Sequence, residues 1–200
     1  MKNMLNAKIK KSSPLFWVLF GLMTILGTAQ ATPLGIWHTL ETEHLVVCYQ
    51  NPEDLKALGT RIKYDIGSWS LFRQSGSHVH PDQISQKMDS LFIRVQNLLD
   101  MKKTYPKITL FLFSNTNQFN AAYAQALNER TPDSAKARYI HQERAIYAVS
   151  QDIDEGIMAR EMAHAITNQY LVVRPTRKAA DILASYVGQH LLDSSAPRVY

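Results

Sequence analysis

Residues 158–166 read MAREMAHAI, and the interpretation of the whole chain depends on this stretch. Arg160, Glu161 and His164 are the only ionisable residues in it. On a helix that turns by about 100° per residue, the three side chains lie within an arc of roughly 100°. A helix this apolar is expected to be largely buried, so its three ionisable groups need partners or a cleft.

The residues on either side define this helix and the next one. Asp154 and Glu155 precede the apolar stretch, and negative charge there favours the N-terminus of a helix. Pro175 interrupts the pattern further on, because a proline disfavours a continuous helix. We therefore expect one helix over residues 154–171 and another over residues 177–192.

The spacing of Glu161 and His164 is that of the zincin helix. In that helix two histidines at positions i and i+4 bind zinc, and the glutamate after the first histidine activates a water molecule. In this chain Arg160 stands in the place of the first histidine. A single Glu-x-x-His match is weak evidence, because this spacing also arises by chance. Glu41 and His44 have the same spacing, and we interpret that match as accidental.

The rest of the chain alternates between strand and helix patterns. Strands are predicted where apolar runs are short, and helices where apolar residues recur every three or four positions. The predicted strands span residues 44–49, 108–113, 137–141 and 145–150, and the predicted helices span residues 54–69, 81–101 and 117–127. Strands mixed with helices, with two helices at the end, predict an α+β domain with a small mixed sheet.

Residues 1–31 have the three parts of a secretory signal peptide. Lysines without acids come first, an uncharged run from Leu15 to Leu26 follows, and Ala29 and Ala31 fit the cleavage pocket. The run is shorter than the roughly 20 residues that a spanning helix needs, so we expect cleavage and no stable membrane span. An uncleaved anchor is the alternative. The protein is therefore predicted to be exported, and to be periplasmic or secreted.

The charge of the chain argues against one class of partner. There are 22 Lys and Arg against 17 Asp and Glu, and four of the bases lie in the signal segment. The remainder carries a formal charge of about +1 without a basic patch interleaved with aromatics, so no nucleic-acid partner is expected. No repeat or linker divides it. Residues 32–192 are predicted to form a single domain, with a mobile tail at residues 193–200.

Four stretches taken together resemble a known family. They are residues 108–113, residues 145–150, residues 161–166 and residues 181–187. In order and spacing they resemble the peptidase MA-like family, small exported bacterial relatives of the gluzincin zinc metallopeptidases, over residues 45–192. The resemblance implies a zincin/gluzincin-like fold in which the two terminal helices carry the active-site motif.

This resemblance implies roles at a metal for three residues. His164 corresponds to a zinc ligand, Glu161 to the general base, and Asp181 to the position of a third ligand that is usually glutamate. Arg160 replaces a ligand, and Asp181 is shorter than the usual glutamate. The resemblance therefore implies a zinc metallopeptidase scaffold with a degenerate metal site.

The residues themselves favour a site without metal. A catalytic zinc keeps three protein ligands, and arginine stays protonated, so Arg160 cannot be a ligand. We predict that its guanidinium pairs with Glu161 and Asp181 in a buried cluster with His164 and no cofactor. One alternative has Arg160 and Glu161 solvated on an exposed face. The other is a working zinc site with a further ligand from His141, His190, His78 or His80.

A strand near this site suggests how a partner would bind. Zinc peptidases of this kind commonly align an extended peptide along a rim strand, and strand addition uses backbone hydrogen bonds. The residues predicted to do so are Ala145, Ile146, Tyr147, Ala148 and Val149. The alternative is that this strand belongs to the core.

These observations predict an exported, non-catalytic domain that derives from a peptidase and binds a peptide or protein partner, or has a structural role. The alternative function is an active zinc-dependent metallopeptidase with a non-standard ligand set and Glu161 as its base. A third interpretation, an unrelated interaction domain, requires the match of the four stretches to be a coincidence.

Overall fold

A computed structural model describes residues 36–64, 80–128 and 135–193 of the chain. These residues belong to one compact unit, Thr32–Tyr200. The predicted signal segment and the predicted tail lie outside the described residues, apart from Asp193.

The described residues form five strands and five helices. In chain order they are β1 (His38–Glu41), β2 (Leu45–Tyr49), α1 (Pro52–Arg61), α2 (Pro81–Leu99), β3 (Ile108–Phe113), α3 (Thr116–Leu127), β4 (Ala137–Ile140), β5 (Ala145–Val149), α4 (Glu155–Tyr170) and α5 (Arg177–His190). None of these helices has the length and apolar character needed to cross a membrane.

The strands form one mixed sheet in the order β1-β2-β3-β5-β4. The central strands β2, β3 and β5 run parallel, and β1 and β4 pair antiparallel at the two edges. The described chain is therefore an α+β domain with a small mixed sheet, which confirms the predicted fold class at that level.

Both faces of the sheet are covered, because successive side chains of a strand point to opposite faces. Leu110 and Leu112 of β3 face a cluster to which α1, α2, α4 and α5 contribute. Phe113 of β3 faces a second cluster that contains Phe119 and Tyr123 of α3. This two-sided burial explains why β3 is a continuous apolar run in the sequence.

A buried carboxylate joins the loops that follow β3 and β5. Asp54 on α1 is 3% exposed, and its two oxygens accept hydrogen bonds from the hydroxyls of Ser114 and Ser150, both at 2.7 Å. These serines come directly after the two strands. Because its oxygens are satisfied by protein donors, we interpret Asp54 as a structural anchor.

One predicted helix ends earlier than its apolar spacing suggested. The helix predicted over residues 54–69 begins at Pro52 and ends at Arg61. Ile62 then has an extended backbone and is buried in the core, and the Lys63 N–H lies 3.4 Å from a carboxylate oxygen of Glu155 on α4. The prediction was wrong for residues 62–64, because Ile62 is buried by tertiary contacts and not as part of a helical stripe. Residues 65–69 lie outside the described residues.

The strand predicted to hold a peptide lies inside the sheet. β5 pairs with β3 on one side and with β4 on the other, and all of its residues are buried. The peptide-binding role predicted for Ala145, Ile146, Tyr147, Ala148 and Val149 was therefore wrong, because the backbone of this strand is already hydrogen-bonded on both sides. The strand belongs to the core, and β4 lies at the edge.

Candidate functional site

The helix α4 carries the polar side chains of the candidate site along one stripe. Asp154 caps the helix by accepting a hydrogen bond from the Ile157 N–H at 2.8 Å. Glu161, His164 and Asn168 follow at spacings of three and four residues, so they share one face of the helix. This face is directed toward β4 and toward the beginning of α5.

Glu161 is a buried carboxyl group that ties α4 to the edge strand. Its residue is 7% exposed, and its Oε2 accepts a hydrogen bond from the Tyr139 N–H of β4 at 2.7 Å. Burial raises the pKa of Glu161 to about 7, although the Tyr139 hydrogen bond and the charges of Arg138 and Arg160 act to lower it. A large fraction of the Glu161 carboxyl groups is therefore protonated near neutral pH.

His164 contacts Asp181 across the interface of α4 and α5. The His164 Nε2 lies 3.6 Å from Asp181 Oδ1, so the structure brings these two residues together. Burial lowers the pKa of His164, although the charge of Asp181 acts in the opposite direction. The imidazole is therefore neutral at pH 7, and the contact joins a neutral ring to a half-exposed carboxylate.

Asn168 holds the turn between β4 and β5 against α4. Its side-chain amide donates a hydrogen bond to the Tyr139 hydroxyl at 3.2 Å and contacts Nδ1 of His141. The tautomer of His141 sets which of the two groups donates in the second contact. Asn168 was not predicted as a site residue, although it continues the spacing of Glu161 and His164 along the helix.

These side chains line an open cleft of about 480 Å³. The polar face of α4, the edge strand β4 and the beginning of α5 form its walls, together with the end of α3. Tyr123, Leu127 and Ile140 contribute an apolar surface beside the charged groups. A cleft of this size can hold a ligand as large as a short peptide segment.

Arg160 does not fill this site. It is exposed, and its Cγ and Cδ lie over Gly188 of α5, where an added β-carbon would meet them at 3.1 and 3.2 Å. The predicted pairing of its guanidinium with Glu161 and Asp181 was wrong, because α4 and α5 are antiparallel. Arg160 lies one turn before His164 on α4. Because α5 runs in the opposite direction, the residue of α5 next to Arg160 is Gly188, which lies about 10 Å beyond Asp181 along the helix.

A different arginine faces the buried acid. Arg138 of β4 lines the cleft, and its positive charge acts on both Glu161 and His164. Its Nε is buried and has no hydrogen-bond partner. The sequence held no signal for this residue, because only the position of β4 at the edge of the sheet brings it beside α4.

The side chains of the site do not fit a catalytic zinc ion. In the part of the chain that the structure describes, no group of three His, Cys, Asp or Glu side chains is arranged to hold a metal. His164 and Asp181 offer one nitrogen and one oxygen, whereas catalytic zinc uses three protein ligands. The cleft also presents Arg138 and Arg177, whose positive charges oppose a divalent cation.

The histidines considered as further ligands do not complete the set. His141 is held by Asn168, His190 is the last residue of α5, and His80 is an exposed residue in front of α2. His78 lies outside the described residues.

Comparisons of the chain with protein-family models, with curated proteins and with solved structures found no match. The resemblance to the peptidase MA-like family and the zincin/gluzincin-like assignment of the fold therefore stay predictions from the sequence. What indicates a function is the chemistry of the cleft itself.

Proposed function

We propose that this protein is an exported, non-catalytic domain whose cleft between β4, α4 and α5 binds an extended segment of a peptide or protein partner. The observation that carries the proposal is the open cleft of about 480 Å³, in which an apolar wall lies beside several converging polar side chains. Clefts of this kind are the usual place where a folded domain holds a ligand.

The edge strand β4 gives the cleft a suitable shape for an extended ligand. Among the described strands, β4 pairs with β5 alone. The Tyr139 N–H of β4 points away from β5 and is taken by Glu161. A bound segment would therefore be held by the side chains of the cleft and not by adding a strand to β4 at Tyr139.

The hydrogen bond of Glu161 supports a structural role for this residue. Its Oε2 accepts the Tyr139 N–H, which joins α4 to β4. To act as the base of a metallopeptidase, Glu161 would need a zinc ion beside it, and among the described residues His164 and Asp181 offer too few ligands for one.

Descent from a peptidase and export are parts of the same proposal. The contact of His164 with Asp181 supports the first, because the resemblance implies that the two terminal helices bring these residues together. The signal-like residues 1–31 support the second, with a periplasmic or secreted location.

Ala180→Phe is expected to weaken peptide binding by at least about tenfold. Ala180 lines the cleft on α5 and is half-buried, so a phenyl ring there occupies the space of the ligand. Ala179 is its exposed neighbour, and Ala179→Phe is the matched control. Binding is measured by fluorescence anisotropy with a labelled pool of random-sequence peptides. Equal binding by all three proteins, or no binding by the unmodified protein, would contradict the proposal.

The unmodified protein is expected to purify without stoichiometric zinc and to leave peptides intact. Metal analysis is carried out beside Arg160→His, which restores the two-histidine spacing with His164. Zinc in this variant alone would support descent from a peptidase, and zinc in neither would weaken that relationship. Stoichiometric zinc in the unmodified protein, together with peptide cleavage, would establish the metallopeptidase alternative in place of our proposal.

A further inference from the structure

The cleft contains more positive charge than its acids balance. Arg138, Arg174 and Arg177 line it, together with the acids Glu161 and Asp181. The Arg177 Nε lies 4.0 Å from Asp181, whereas Glu161 accepts its hydrogen bond from the backbone and not from an arginine. Arg138 and Arg174 are therefore available to an anionic group that enters the cleft.

Arg138 has the chemistry that such a group requires. Its Nε is buried without a hydrogen-bond partner, and a buried donor of this kind is unfavourable unless an acceptor reaches it. A guanidinium presents neighbouring N–H groups in a planar fork that matches the two oxygens of a carboxylate. Arg138 lines the cleft, so a ligand carboxylate there would meet this guanidinium.

The apolar side chains of the cleft favour a peptide as the source of the anionic group. Tyr123, Leu127 and Ile140 provide a surface for the uncharged part of a ligand. A free phosphate has no such part, whereas the carboxylate of a peptide is attached to one. The cleft therefore suits a peptide carboxylate better than a free phosphate.

We infer that the cleft recognises a carboxylate group of its peptide ligand through Arg138, with Arg174 as a second positive charge. The inference rests on the proposed peptide binding for the identity of its ligand. The carboxylate comes either from the C-terminus of the peptide or from an acidic side chain, and both sources offer the same pair of oxygens.

Four forms of one labelled alanine-rich peptide separate these sources. They are a free C-terminal acid, the C-terminal amide, the amide with an internal glutamate, and the amide with glutamine in its place. At least one carboxylate form is expected to bind the purified protein about tenfold or more tightly than its amide counterpart. Preference for the free acid identifies the C-terminus, and preference for glutamate over glutamine identifies the side chain.

Variants of the arginines test the assignment of the site. Arg138→Gln is expected to remove the preference for the carboxylate, and Arg138→Lys keeps the charge but loses the fork, so it should retain only part of the preference. Arg61→Gln is the matched control, because Arg61 is exposed in the last turn of α1 and does not line the cleft. Circular dichroism establishes that each variant is folded. An unchanged preference in folded Arg138→Gln and Arg138→Lys would overturn the assignment.

The failure of this inference and that of the proposed function give different results. If all four peptides bind equally and Ala180→Phe abolishes binding, the peptide-binding function stands and the carboxylate inference is wrong. If no peptide binds, acetate is titrated while the melting temperature is recorded. Stabilisation by acetate that is lost in Arg138→Gln would keep the carboxylate site and reject the peptide ligand. No stabilisation would overturn both.

Discussion

Glu161→Gln is expected to stabilise the protein by about 3 kcal/mol more at about pH 8 than at about pH 4. Burial raises the pKa of Glu161 to about 7, so the folded protein binds this proton more tightly than the unfolded chain does. The unmodified protein therefore loses stability as the pH rises from about 4.5 to about 7, and the neutral glutamine does not. The glutamine oxygen can still accept the Tyr139 N–H.

Chemical denaturation at the two pH values measures this effect. Glu53→Gln is the control, because Glu53 is exposed in the first turn of α1 and is expected to give a nearly constant difference. If Glu161→Gln also gives a constant difference, the carboxyl group ionises as an exposed one would, and the buried contact with Tyr139 does not describe the protein in solution. A pH-dependent gain would show that the ionised form of Glu161 is costly to the fold.

Arg94→Met is expected to lower the free energy of unfolding by about 3 kcal/mol. Arg94 on α2 is 6% exposed and donates hydrogen bonds to the carbonyl oxygens of His190, Leu191 and Asp193, at 3.3, 3.2 and 2.7 Å. These oxygens lie at the C-terminal end of α5, where carbonyl groups lack helical partners and a positive charge is favourable. Methionine fills much of the space but leaves the carbonyls without a donor.

The same denaturation measurement checks this prediction, with Arg61→Met as its control. Arg61 is exposed in the last turn of α1, so its replacement is expected to change the stability by less than about 0.5 kcal/mol. Equal effects of the two substitutions would mean that Arg94 does not cap α5. Because α5 forms one wall of the cleft, Arg94→Met is also expected to weaken peptide binding.

The kinds and order of the elements could be predicted because they depend on local patterns. Apolar residues at helical spacing and short apolar runs set the boundaries of most elements to within about two residues. β1 was missed, because residues 38–41 read HTLE and have no apolar run. α1 was extended too far, since Ile62 continues the spacing but is buried by other parts of the fold.

The candidate site was predicted only in part. The meeting of His164 and Asp181 was implied by the resemblance to the peptidase family, and the structure shows that contact. The predicted pairing of Arg160 with Glu161 and Asp181 was wrong, because spacing along one helix does not determine where the neighbouring helix crosses it. Arg138 and Asn168 were missed, since their places in the cleft depend on how β4 packs beside α4 in the fold.

By itself, the sequence determined an α+β chain with two consecutive helices at its end, because hydrophobic periodicity is a property of neighbouring residues. Only the tertiary structure decided that β5 is internal, that β4 forms the edge of the sheet, and that Arg138 rather than Arg160 lines the cleft with Glu161. Strand order and helix crossing depend on contacts between residues that are distant along the chain. No local pattern encodes these contacts separately, so they are known only once the whole core is packed.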